Sequence, residues 1–94
     1  MGDPARARDQ FAALLPIVER VLGAEHRDTL AVRRELARWT GRAGDAAGAR
    51  GQFAALLSVR ERVLGPEHPD TLTTRVDLAY WTRKAQGGAE PDTT

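Results

Sequence analysis

Two clusters of titratable side chains stand in this chain at a fixed distance from one another. Glu25, His26 and Asp28 form the first, within EHRDTL (25–30), and Glu67, His68 and Asp70 form the second, within EHPDTL (67–72). An imidazole beside carboxylates is the raw material of general acid–base catalysis and of metal ligation. Neither cluster has the i, i+4 histidine pair with which a helix holds zinc, and no activated nucleophile accompanies either. The chain has no cysteine, which removes disulfides, thiolate catalysis and Cys-based metal centres. We therefore expect no enzyme, no metal site and no cofactor. The two histidines read as loop residues hydrogen-bonded to a helix cap or to solvent.

A third group has a different chemistry. Arg34, Arg38 and Arg42 are spaced i, i+4 and i+8, which places them in one stripe on a helix. Guanidinium forks pair with carboxylates in bidentate fashion, so such a stripe suits an acidic peptide or a C-terminal carboxylate. The alternative is a solvated charged face. The formal net charge of +1 supplies no field for nucleic acid, and no apolar run is long enough to cross a membrane. Without a signal peptide the expected location is the cytoplasm.

The elements that must position these groups follow from an internal repeat. Laying residues 2–43 over residues 44–85 gives 27 identities in 42 positions without a gap. QFAALL, ERVLG, the EH-DTL turn and LA-WT all recur. His-Pro-Asp alone suggests a J-domain loop and His-Arg-Asp a kinase catalytic loop, but a tripeptide that recurs with the repeat reads as a turn between helices. Across the repeat, Arg34, Arg38 and Arg42 correspond to Val76, Tyr80 and Lys84. Trp39 and Trp81, with Phe11 and Phe53, also recur, which fits packing between helices better than stacking on bases.

Each copy reads as two helices, since its apolar residues keep the helical period and β-branched and aromatic residues are few. The expected helices are about 4–22, 28–41, 46–64 and 70–85. Asp3 and Asp45 should cap the first and third, and Asp28 and Asp70 the second and fourth. Gly23 and Gly65 should end helices in the left-handed conformation. Pro16, which replaces the serine of the second copy, should bend the first helix near Ala12. Beyond residue 85 the pattern decays, so residues 86–94 read as a disordered tail.

The unit GDxAxARxQFAALLxxxERVLGxEHxDTLxxRxxLAxWT resembles the 42-residue tetratricopeptide repeat found in kinesin light chains and in actinobacterial arrays. The resemblance covers residues 2–85, as units 2–43 and 44–85, and implies an all-α solenoid fragment of four antiparallel helices. In that family the TLxxRxxLAxWT helix is the first of a unit (A) and the DxAxARxQF helix the second (B). The phase here is therefore B-A-B-A, as in the C-terminal piece of a longer bacterial array. The implied function is a non-catalytic protein–protein interaction module whose A helices line a concave peptide-binding face, with Arg34, Arg38, Arg42, Val76, Tyr80 and Lys84 upon it. The competing expectation is a purely structural unit, forming a homo-oligomer by end-to-end stacking or helix exchange, because two repeats leave apolar surface at both ends.

Overall fold

The computed structural model describes residues 2–87. Four α-helices follow one another: α1 (Pro4–Leu22), α2 (Arg27–Arg42), α3 (Ala46–Leu64) and α4 (Pro69–Ala85). The turns between them span residues 23–26, 43–45 and 65–68. Each helix packs on its neighbours in the chain, α1 on α2, α2 on α3 and α3 on α4. Cross-helix hydrogen bonds join residues nearly equidistant from each turn, such as Thr29 to Val18 and Arg60 to Thr74, so consecutive helices run antiparallel. The molecule measures 49 × 32 × 20 Å. Its thinnest dimension is about two helix diameters, as expected of a two-layer slab.

The helix starts show how the repeated motif works. Asp3 accepts from the amides of Ala5 and Arg6, and Asp45 from that of Gly48, as their sequence positions suggest. Asp28 and Asp70 do not cap α2 and α4. His26 Nδ1 accepts from the Asp28 amide and His68 Nδ1 from the Asp70 amide, each at 3.0 Å. The imidazoles are thus N-caps with the proton on Nε2, and each helix begins one residue earlier than expected. The aspartates lie in the first turn instead, where their charge meets the positive end of the helix dipole.

The next residue completes the motif. Thr29 and Thr71 are fully buried and donate their hydroxyls to the carbonyls of Val18 and Arg60 on the preceding helix. In EH-DTL the histidine therefore caps, the aspartate meets the dipole, and the threonine latches one helix to the next. We expect His68→Ala to cost about 0.5–2 kcal/mol of stability by urea unfolding, and His68→Asn, which keeps an acceptor, to cost clearly less. Equal losses would show that packing of the ring, not the cap, is what matters.

Gly23 and Gly65 end α1 and α3 with φ near +100°, but with ψ of 151° and 155° rather than the left-handed helical value. That region is open only to glycine. It directs the chain away from the helix axis, and the carbonyls of Gly23 and Gly65 then accept from the cap residues His26 and His68. α1 is continuous through Pro16. Ala12, whose carbonyl loses its helical partner there, is exposed, and so is Pro16. The expected tail, apart from Gln86 and Gly87, lies outside the described residues.

The core is small and off-centre: Leu30 and Ala37 from α2 meet Ala49, Phe53 and Leu56 from α3, with Val59, Leu78 and Trp81 packed against them. α1 buries no residue completely. Leu56 is fully buried while its twin Leu14 is 38% exposed, and Leu30 is 1% exposed while its twin Leu72 is 45% exposed. α3 has a neighbour on each side and α1 has one, so the same residue finds a second partner in one copy only.

Candidate functional site

The stripe on α2 and its counterpart on α4 face each other across a cleft. Arg34, Arg38 and Arg42 line it from one side, Asp77, Tyr80 and Trp81 from the other, and Phe53 of α3 also contributes; the volume is about 290 Å³. Two contacts keep the flanking helices in place. Arg34 Nε donates to Asp77 Oδ2 at 2.8 Å. The second is the Trp81 ring, which lies directly over Gly41 of α2 and meets the ring of Tyr80, its neighbour on α4, edge to face at 4.9 Å.

The three arginines are not equivalent. Arg34 is half-buried and bound to Asp77, and that hydrogen bond raises its pKa above the usual guanidinium value, outweighing its partial burial. Its charge is spent inside the fold. Arg38 reaches only to 3.9 Å of Glu35, and Arg42 has no carboxylate partner among the described residues. The guanidinium carbons of Arg38 and Arg42 lie 5.4 and 5.6 Å from the centroid of the Trp39 ring. An aromatic face attracts a cation and restricts its side chain, so both heads are held near the cleft with their donors free. Trp39 is therefore a support for cations, whereas Trp81 is an inter-helix packing residue.

On the α4 side, Tyr80 is half exposed and Lys84 lies 5.6 Å from its ring. Lys84 has no carboxylate partner among the described residues and lines a neighbouring open hollow with Trp39, Arg42 and Tyr80. Val76 is 68% exposed and does not line the cleft. The structure thus brings Arg34, Arg38, Arg42 and Tyr80 together, sets Lys84 at the rim, and leaves Val76 outside. Asp77 and Phe53 are cleft residues that sequence reasoning missed. Asp77 is the repeat equivalent of Glu35, and no local spacing in the sequence pairs it with Arg34.

Each imidazole uses Nδ1 for its cap, and the described residues hold no group of three or more His, Asp or Glu side chains placed to bind a metal. No described helix is long and apolar enough to cross a membrane.

Residues 29–70 match the family model described as tetratricopeptide repeat. The matched segment takes in α2 from Thr29 onward, the whole of α3 and the turn into the first residues of α4. No curated protein and no solved structure matches the chain.

Proposed function

Since residues 29–70 of this chain are a tetratricopeptide repeat, a family of typically non-catalytic interaction scaffolds, we propose that the chain binds an acidic segment of a partner protein in the cleft between α2 and α4. The observation that carries this is the state of the cations. Arg34 is neutralised by Asp77, whereas Arg38, Arg42 and Lys84 are held over aromatic rings with little or no internal pairing. Such pre-positioned donors lose little freedom when a carboxylate arrives, and Tyr80 offers a flat amphipathic contact beside them.

The test follows from the inequality of the arginines. Arg34 is a poor target, because reversing it would break the bridge to Asp77 and perturb the fold. Arg38→Glu with Arg42→Glu changes two side chains that hold no strong internal contact. We expect the double variant to keep the thermal midpoint of the parent and to bind a fluorescein-labelled Asp/Glu-rich decapeptide at least about tenfold more weakly by anisotropy at low salt. Unchanged affinity would remove the cleft as the binding face.

A second reading, self-association, is favoured by one observation. α1 buries no residue completely and shows Leu14, Ile17, Val21 and Leu22 to solvent, a stripe suited to a second copy. In-phase end-to-end stacking is the harder route. It would set Trp39 of the second copy against Arg83, at the place where Gly41 admits Trp81 only because it has no Cβ. Pairing or exchange through α1 avoids that obstacle. Light scattering at raised concentration should show a dimer that Ile17→Glu with Val21→Glu returns to monomer; a strictly monomeric parent would sink this reading.

A further inference from the structure

A second cleft lies along the same α2/α4 seam, beyond the Arg34–Asp77 bridge. It has a volume of about 550 Å³ and is lined by the first turns of α2 and α4 and by Arg60 and Leu64 at the end of α3. Arg60 is its unusual member. The residue is only 6% exposed, and no carboxylate lies within ion-pair distance of it among the described residues. Nη1 donates to Thr74 Oγ1 at 3.0 Å, and Nε is buried with no partner at all. A buried cation that lacks an anion is costly, and proteins seldom keep one without a use.

Packing does not demand it. By the repeat, Arg60 and Thr74 stand where the first copy has Val18 and Val32. The latch that the site provides to α4 uses only the backbone carbonyl of residue 60, as it uses that of Val18 in the first copy. The second unit has therefore replaced an apolar pair by a buried guanidinium and the hydroxyl that steadies it. Burial lowers the pKa of Arg60, with the more distant Asp70 offsetting part of that effect.

We propose that this cleft is a carboxylate site in which Arg60 is the anchoring cation, taking an acidic side chain or the C-terminal carboxylate of a polypeptide. The N-terminal ends of α2 and α4 both border it, and their dipoles favour an anion there. The rim carboxylates of Asp28, Glu35 and Asp70 disfavour a dianion, so a singly charged carboxylate suits the site better than a phosphate. The inference does not rest on the Arg38–Arg42 cleft, because the two are separated by the Arg34–Asp77 bridge and share only Arg34 among their lining residues.

The test is nuclear magnetic resonance of the arginine Nε–H signals of the whole chain, titrated with sodium acetate against sodium chloride of equal ionic strength. The Arg60 signal should shift and saturate with acetate, with half-saturation on the order of 10 mM, and should respond more weakly to inorganic phosphate. Peptides ending in Glu, with the C terminus free or amidated, then distinguish a chain terminus from a side chain by which of them shifts Arg60 at lower concentration. Arg60→Met should abolish the acetate response at the remaining cleft residues while leaving the melting temperature equal or higher. The proposal is overturned if the Arg60 signal moves no more than those of exposed Arg20 and Arg83. It is equally overturned if a folded Arg60→Met keeps the acetate response at the remaining cleft residues. The titration needs no variant, so a misfolded Arg60→Met would not blunt it.

Discussion

Phe53→Ala should remove about 3–5 kcal/mol of folding free energy, whereas Phe11→Ala, the same exchange at the equivalent place in the first copy, should remove less than half of that. Phe53 is 1% exposed in the buried cluster found among the described residues, with Leu30 and Ala37 of α2 and Leu56 of its own helix. Truncation there leaves a cavity walled by side chains that cannot all collapse into it. Phe11 is merely half-buried on a helix with one neighbour, so water and side-chain movement fill the space it vacates. A chain of this length commonly has a total stability of about 5–14 kcal/mol. Phe53→Ala therefore brings it close to the unfolding threshold, and Phe11→Ala does not. Urea unfolding followed by circular dichroism reads both. Equal shifts of the midpoint would mean that the two copies are equally buried in solution, for instance because α1 is covered by a second molecule.

The second large effect concerns Gly41. A Cβ on this residue would lie 2.5 Å from Trp81 Cη2 and 2.6 Å from Cζ2 and Cζ3, inside the distance that any real methyl tolerates. Alanine gains about 1 kcal/mol in helix propensity over glycine, and overpacking costs about 1–3 kcal/mol, so Gly41→Ala should be net destabilising. Gly41→Leu should cost more, on the order of 3 kcal/mol, because it displaces the Trp81 ring from α2 and from the core edge. The decisive measurement is a double-mutant cycle. If the ring is the obstacle, Trp81→Ala should be far less harmful in the Gly41→Leu background than in the parent, and additive losses would contradict it. Arg83, the repeat equivalent of Gly41, is exposed, so Arg83→Leu should change stability by no more than about 0.5 kcal/mol.

These two contrasts also mark how far the chain could be read before its structure was known. The four helices were legible to within a residue at most ends, because apolar spacing, aspartate caps and glycine stops all act over one or two turns of local chain. The mistaken caps of α2 and α4 were a local matter as well. Pro69 favours the first helical position, which would have placed the cap at His68. Arg60 was visible as a charge in a place where the first copy carries valine, although nothing nearby in sequence indicates that it lacks an acid.

The arginine stripe was legible as a row of cations and not as a set of free ones. Arg34, Arg38 and Arg42 share one residue type and one helix face, and no local rule separates them. Arg34 is set apart by Asp77, an acid on another helix. Distance along the chain does not encode that pairing; the lateral placement of α4 beside α2 does.

By itself, then, the sequence of this protein determined the repeat, its period, the helix type and the turn that joins successive helices, since each depends on interactions among residues a few places apart. Only the tertiary structure decided which of two identical residues is core and which is surface, which arginine is spent on an internal bridge, and which glycine must stay a glycine. The physical reason is that burial and pairing belong to the neighbour as much as to the residue. Two copies of nearly one sequence acquire different energetics as soon as one of them has a helix on both sides and the other has a helix on one.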